Sequence, residues 1–129
     1  MRLLNNFSKT LKLGKCQLDN VWINVNRFGH YNKPHIHGEC VISGVYYIAT
    51  PENCGNIEFK HPSAYWIDVE WKPHANNNYN SAMWTMPSVA DTLYLFPPWL
   101  THSVQPSQNK NEPRVSISFN MELDKRVVL

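Results

Sequence analysis

Residues 34–40 read "PHIHGEC" and gather His35, His37, Glu39 and Cys40, four side chains able to bind a metal or move a proton. On a β-strand residues i and i+2 point the same way, so His35 and His37 project together, and Glu39 with them if no bulge intervenes. Two imidazoles on one face suit cis ligation of Zn, Cu, Fe or Ni, and a facial set of three protein ligands with open positions is the arrangement of non-haem Fe(II) sites. His102 is the candidate third ligand, because it follows the "FPPWL" break on a separate strand that a small barrel can fold back over the first pair. Arg114 lies further along, and Ser116 shares its strand face. A guanidinium fork beside a hydroxyl is built to hold a carboxylate in bidentate fashion. A dicarboxylate gripped there could reach the metal with its other end.

Plainer readings compete with each of these residues. Paired histidines before a polar residue also describe a solvated strand face. "RVSISFN", with Arg114, Ser116, Ser118 and Asn120 on one side, also satisfies a surface strand with a polar outer face. Cys40 and Cys54 are further metal-ligand candidates, though three histidines already supply a set. His30, His61 and His74 sit near turns or polar loops and read as solvent-facing. Trp66, Trp71, Trp84 and Trp99 read as core or pocket-wall aromatics, and Met83 and Met86 as packing.

The elements that must position these residues are mostly strands. In "DNVWINVN" Val21, Ile23 and Val25 alternate with Trp22, Asn24 and Asn26, the period of a strand with unlike faces. After the turn-like "RFGHYNKP", the run "HIHGECVISGVYYIA" predicts one bent strand or two, with Gly38 or Gly44 allowing a kink. "IEFK" and "YWIDVEW" are further strand candidates, and "KPHANNNYNSAM" reads as a surface loop. The stretch "DTLYLFPPWLTHSVQPSQNKNEPRVSISFN" holds three more strands around a Pro-Pro break and a polar turn. Helical signal is limited to a turn or two near Phe7 to Leu13. Seven or eight short strands predict an all-β sandwich or double-sheet jelly roll with little helix.

The chain has 129 residues, the size of one domain: an N-terminal extension (1–18), a core (19–120) and a C-terminal segment (121–129). The net charge is +2, and the basic residues are scattered rather than gathered in a stripe that follows phosphates, which makes nucleic acid an unlikely partner. The N-terminus lacks the h-region of a secretory signal and no apolar run reaches membrane-spanning length, so the sequence reads as a soluble, cytoplasmic protein with no membrane partner. Three cysteines in no zinc-finger spacing read as reduced thiols. An uncovered sheet edge or apolar face would leave room for a homodimer.

The two stretches "PHIHGECVISGVYYIATP" and "LFPPWLTHSVQPSQNKNEPRVSISFN" resemble a small branch of the 2-oxoglutarate and Fe(II)-dependent oxygenase superfamily found in marine phages and bacteria. The likeness runs from about Val21 to Asn120, with the paired histidines, "SGVYY", "P-x-W-L-x-H" and "R-x-S-I-S-F-N" in the family's order. It implies a double-stranded β-helix, the cupin-like jelly roll, and, for a phage-encoded chain, residence in the host cytoplasm. It also implies the cofactors Fe(II) and 2-oxoglutarate, the latter a small-molecule co-substrate, with His35, His37 and His102 as metal ligands. Arg114, helped by Ser116, would hold the far carboxylate of 2-oxoglutarate, with Tyr47 assisting and Asn24 or Asn26 contacting the near carboxylate. The implied reaction is hydroxylation of an unspecified main substrate, with decarboxylation of 2-oxoglutarate to succinate. One departure is plain: His37 stands where the superfamily carries a carboxylate ligand, unless a shift of register makes Glu39 the ligand. The rival readings are a cupin-like metalloprotein that does not use 2-oxoglutarate and a non-catalytic jelly-roll module.

Overall fold

The computed structural model describes residues 2–124. Its elements are helix α1 (Arg2–Thr10) and strands β1 (Cys16–Asn26), β2 (Asn32–His35), β3 (Ile42–Ala49), β4 (Ile57–Lys60), β5 (Met83–Met86), β6 (Leu93–Phe96), β7 (His102–Val104) and β8 (Arg114–Leu123). The strands form two four-stranded antiparallel sheets, ordered β1-β8-β3-β6 and β2-β7-β4-β5. Apart from the β4–β5 pair, successive strands pass from one sheet to the other, the winding of the double-stranded β-helix that the resemblance implies. β8 reaches Leu123, and the rest of the expected C-terminal segment, 125–129, lies outside the described residues.

Alternation decides which side chains enter the barrel. Along β1, Trp22, Asn24 and Asn26 line the interior pocket, while Val21, Ile23 and Val25 are exposed on the outer face. The usual order of apolar in and polar out is thus inverted, because the barrel interior carries a polar site. The same holds on β8, where Arg114, Ser116 and Asn120 are buried. The reading of "RVSISFN" as a surface strand with a polar outer face therefore does not hold.

Two apolar clusters hold the barrel. Val45, Tyr47, Ile57, Phe59 and Phe96 pack between the sheets. Leu4 of α1, with Phe7 beside it, packs on Ile42, Phe119 and Met121, sealing part of the outer face of the first sheet. At Gly44, opposite Phe119 in the β3–β8 register, the Phe119 ring occupies the space that a Cβ would need.

Several expectations are corrected. "YWIDVEW" is no strand; Trp66–Trp71 form a π-helix closed by Lys72 in the left-handed region, whose N–H donates to the Ile67 carbonyl. Helical winding buries Ala64 and Ile67, three residues apart, whereas an extended run would have needed Val69 and Trp71 inside as well. Trp66, Trp71, Trp84 and Trp99 are all exposed, Trp71 at 69%, so none is a core residue. Met83 and Met86 are exposed too, on the edge strand β5, where one side of the pairing is missing. The helix spans Arg2–Thr10, earlier than Phe7 to Leu13, because Leu4 and Phe7 give it its buried side. His30, His61 and His74 are exposed, as expected.

Candidate metal centre

β2 ends at His35, which lies opposite His102 of β7 in the strand register. Beyond it the chain leaves the sheet, and the His37 N–H donates to the Pro98 carbonyl at 2.9 Å, tying this loop to the break before β7. The three rings converge: centroids are 5.2 Å apart for His35 and His37, 4.3 Å for His35 and His102, and 5.0 Å for His37 and His102. One ring nitrogen from each lies within 4.8 Å of the others. Glu39 does not join them; it is exposed, with φ +57° in the turn after Gly38. Cys40 and Cys54 are also outside the group.

Hydrogen bonds select the ligating nitrogen. His35 Nδ1 lies 2.7 Å from the Lys33 carbonyl and His102 Nδ1 2.9 Å from the Leu100 carbonyl. A carbonyl only accepts, so each Nδ1 carries the hydrogen and each Nε2 keeps its lone pair, the tautomer of a metal-binding imidazole. His37 Nδ1 faces Asn120 Oδ1 at 2.7 Å and Ser43 Oγ at 3.1 Å. Burial pushes the His102 pKa down to about 4, with His35 and His37 adding to the effect against the Leu100 carbonyl, so this ring is uncharged at neutral pH. Three imidazoles brought together from two strands and a loop fit a divalent ion of the Fe, Ni, Zn group.

Arg114, Tyr47, Ser116, Asn24 and Asn26 line the same pocket as the histidines. Arg114 is only 2% exposed, and its Nη1 donates to the Cys54 and Gly55 carbonyls at 2.9 Å each. It forms no ion pair with a described carboxylate, and no carboxylate lines the pocket. Desolvation lowers the guanidinium pKa, an effect opposed by Tyr47 and Cys54, but the group remains a cation. Tyr47 is buried beside it, its pKa raised by desolvation, an effect that Ser88 and the Arg114 charge oppose. Ser116 lies across from Asn24 on one side and Tyr47 on the other. The Asn24 amide donates to Ser118 Oγ at 2.9 Å and to Ser116 Oγ at 3.5 Å, and Asn26 lies opposite Arg114.

Every site residue expected from the sequence except Glu39 therefore lines one pocket. Sequence reasoning missed Asn120 and Ser43 behind His37, Trp22 with its ring 6.0 Å from that of His37, and Phe96 and Phe59 beside His102. The signal for Asn120 was its place on the Arg114 face of "RVSISFN"; nothing in the sequence linked it to a histidine 83 positions earlier.

The fold recurs in solved structures. A Pseudomonas putida prolyl-4-hydroxylase is 16% identical (TM-score 0.67), covering 95% of this chain and 62% of its own. The non-haem alpha-ketoglutarate-dependent epimerase SnoN from nogalamycin biosynthesis is 14% identical (TM-score 0.67), covering 93% of this chain and 54% of its own. Iron-bound HygX from Streptomyces hygroscopicus is 7% identical (TM-score 0.61), covering 88% of this chain and 60% of its own. The chain thus spans less than two thirds of the length of these structures, and at such identities the likeness is one of fold. No curated protein sequence matches the chain. A family model described as "Putative 2OG-Fe(II) oxygenase" matches residues 20–120, from within β1 to Asn120, and so includes all three histidines and Arg114. By that match the chain belongs to the 2-oxoglutarate and Fe(II)-dependent oxygenases, a family whose cofactors are Fe(II) and 2-oxoglutarate.

Proposed function

We propose that this chain is a 2-oxoglutarate-dependent non-haem iron dioxygenase that hydroxylates a substrate while 2-oxoglutarate is decarboxylated to succinate. His35, His37 and His102 would hold Fe(II), with Nε2 the nitrogen left free on His35 and His102 by their Nδ1–carbonyl hydrogen bonds. Arg114 and Ser116 hold the far carboxylate of 2-oxoglutarate, Tyr47 shapes that end of the pocket, and Asn24 or Asn26 meets the near carboxylate. When bound, the iron and the 2-oxo acid together supply the activation of O2 and the two-electron oxidation of the substrate. The chain's own residues orient the co-substrate and keep its anionic end dry.

The observation that carries this reading is Arg114: a buried guanidinium with no ion-pair partner among the described carboxylates, in a pocket whose candidate metal ligands are all imidazoles. Leaving a buried charge uncompensated is costly. A divalent ion would add two further positive charges, so the pocket would suit a dianionic ligand. 2-Oxoglutarate has that charge.

The test is an anaerobic titration of metal-free protein with Fe(II) and then 2-oxoglutarate, following the visible charge-transfer band of a chelated 2-oxo acid. The band should appear at one equivalent of iron and be absent in His102→Ala. Iron binding without the band would sink the 2-oxoglutarate reading. It would favour a cupin-like metalloprotein in which Arg114 binds a substrate carboxylate directly, a reading supported by the all-histidine donor set. Failure to retain any metal would leave a non-catalytic jelly-roll module.

A further inference from the structure

Behind His37, on the side away from its partner histidines, lies a closed triangle of polar groups. His37 Nδ1 and Ser43 Oγ are each 2.7 Å from Asn120 Oδ1, and Ser43 Oγ is 3.1 Å from His37 Nδ1. Ser43 is fully buried and Asn120 nearly so, on adjacent strands where they are direct register partners. Neither residue lines the pocket with Arg114, and neither has a part in the function proposed above.

The orientation of one amide decides what His37 can do. With Oδ1 toward the ring, Asn120 accepts two hydrogen bonds, one from His37 Nδ1–H and one from the Ser43 hydroxyl, which fills both lone pairs of the oxygen. His37 then presents a bare Nε2. With the amide turned over, Nδ2 would donate to Nδ1, the ring hydrogen would move to Nε2, and the neutral ring would offer no lone pair at the centre. Ser43 donates to Oδ1 in the observed arrangement and so braces the amide, although a hydroxyl could also accept from Nδ2 in the turned one.

We propose that Asn120, braced by Ser43, is the positioning residue that fixes His37 as the Nδ1–H tautomer and thereby makes it a metal ligand. His35 and His102 obtain the same tautomer from backbone carbonyls, which cannot be flipped or mutated away. His37 alone depends on a side chain, and it is also the histidine at the position where the family carries a carboxylate. The orienting group is a neutral amide, so the centre acquires no negative charge from its surroundings. The inference rests on the metal-site reading above, but the tautomer exists without metal and can be measured apart from it.

The experiment uses the whole chain in two states. In metal-free protein, long-range 1H–15N correlation of the histidine rings reports the His37 tautomer. Titration with Co(II), an air-stable stand-in for Fe(II) with visible ligand-field bands, reports affinity. Wild type should show His37 as Nδ1–H. Asn120→Leu, close in size but without an acceptor, should move His37 toward Nε2–H and weaken Co(II) binding about 10- to 100-fold, the range for lost partners of metal-bound histidines. Asn120→Asp, which has acceptor oxygens on both sides and no donor, should keep Nδ1–H and bind Co(II) at least as tightly as wild type. A purely structural role predicts instead that both variants weaken binding in proportion to lost stability.

Two results would overturn the proposal: wild-type His37 found as Nε2–H, or Asn120→Leu binding Co(II) within twofold of wild type. If Asn120→Leu does not fold, Asn120→Asp still decides, since a more than tenfold loss of Co(II) affinity there contradicts the proposal. Wild type that shows Nδ1–H, loses it in Asn120→Leu and yet binds no Co(II) would uphold the tautomer lock and sink the metal site.

Discussion

Replacing Arg114 by methionine separates the binding of the co-substrate from the stability of the fold. The guanidinium spends Nη1 on the Cys54 and Gly55 carbonyls, so Nη2 and Nε remain for a carboxylate. Hydrogen bonds to charged groups contribute about 1.5–3 kcal/mol each, and two of them make about 3–6 kcal/mol. Ser116 and Tyr47 still line the pocket in the variant, which argues for the lower end. A loss of about 3 kcal/mol corresponds to roughly 150-fold in the dissociation constant of 2-oxoglutarate.

The cost to the apo fold should be much smaller. Gly55 O keeps the Ser88 hydroxyl as a donor at 2.8 Å, which leaves the Cys54 carbonyl as the acceptor that loses its bond. Against that loss stands relief from burying an unpaired charge, so the two terms oppose each other. Anaerobic calorimetry of 2-oxoglutarate binding to Fe(II)-loaded protein, paired with urea unfolding of the metal-free protein, measures both. Arg114→Lys, which keeps the charge without the fork, should fall between wild type and Arg114→Met. An Arg114→Met protein that is folded and binds 2-oxoglutarate within fivefold of wild type would refute the assignment of Arg114 as the anchor.

Two further outcomes follow from the packing. His102 has a folded-state pKa of about 4 against an ordinary 6.5, so below pH 6.5 the unfolded chain takes up a proton that the folded, metal-free protein refuses. Stability should therefore be intact above pH 6.5 and fall as the pH drops toward 4. The loss is at most about 3 kcal/mol, and less where water reaches the ring through the pocket; His102→Gln should flatten this part of a urea-midpoint profile, and an unchanged slope would contradict the buried, uncharged ring. Gly44→Ala would drive a Cβ into the buried Phe119 ring between β3 and β8 and should cost about 1–3 kcal/mol in urea unfolding; a neutral substitution would mean that Phe119 can move aside.

Much of the architecture was legible because it depends on period and punctuation. Alternation in "DNVWINVN" and "RVSISFN", the Pro-Pro break and the scarcity of helical pattern specified strands, breaks and an all-β fold, since a strand's two faces are set by neighbours in the chain. The order of His35, His37, His102 and Arg114 suggested the chemistry, although His37 meets the other two rings from the loop after β2 and not, as strand spacing predicts, from the strand itself. Where local pattern misled, packing was the reason. "YWIDVEW" alternates like a strand but winds as a π-helix because only Ala64 and Ile67 find a core to enter. Four tryptophans read as core or pocket-wall aromatics lie exposed, Trp66 and Trp71 on the π-helix, Trp84 on the edge strand β5 and Trp99 in the break before β7.

What the sequence alone determined is which residues are candidates for the site; what tertiary structure decided is which of them meet in one pocket and how each is held. That Glu39 is turned away from the histidines follows from the left-handed turn after Gly38, a backbone event that strand periodicity cannot foresee. That Arg114 is buried with no counter-charge among the described residues follows from the chain around Cys54 and Gly55 folding over it from another part of the sequence. That His37 faces an amide and a hydroxyl follows from β3 and β8 being neighbours in register. Spacing fixes the direction of a side chain relative to its own strand; its hydrogen-bond partners and burial come from segments far away in the chain, and exist only once the sheets have closed.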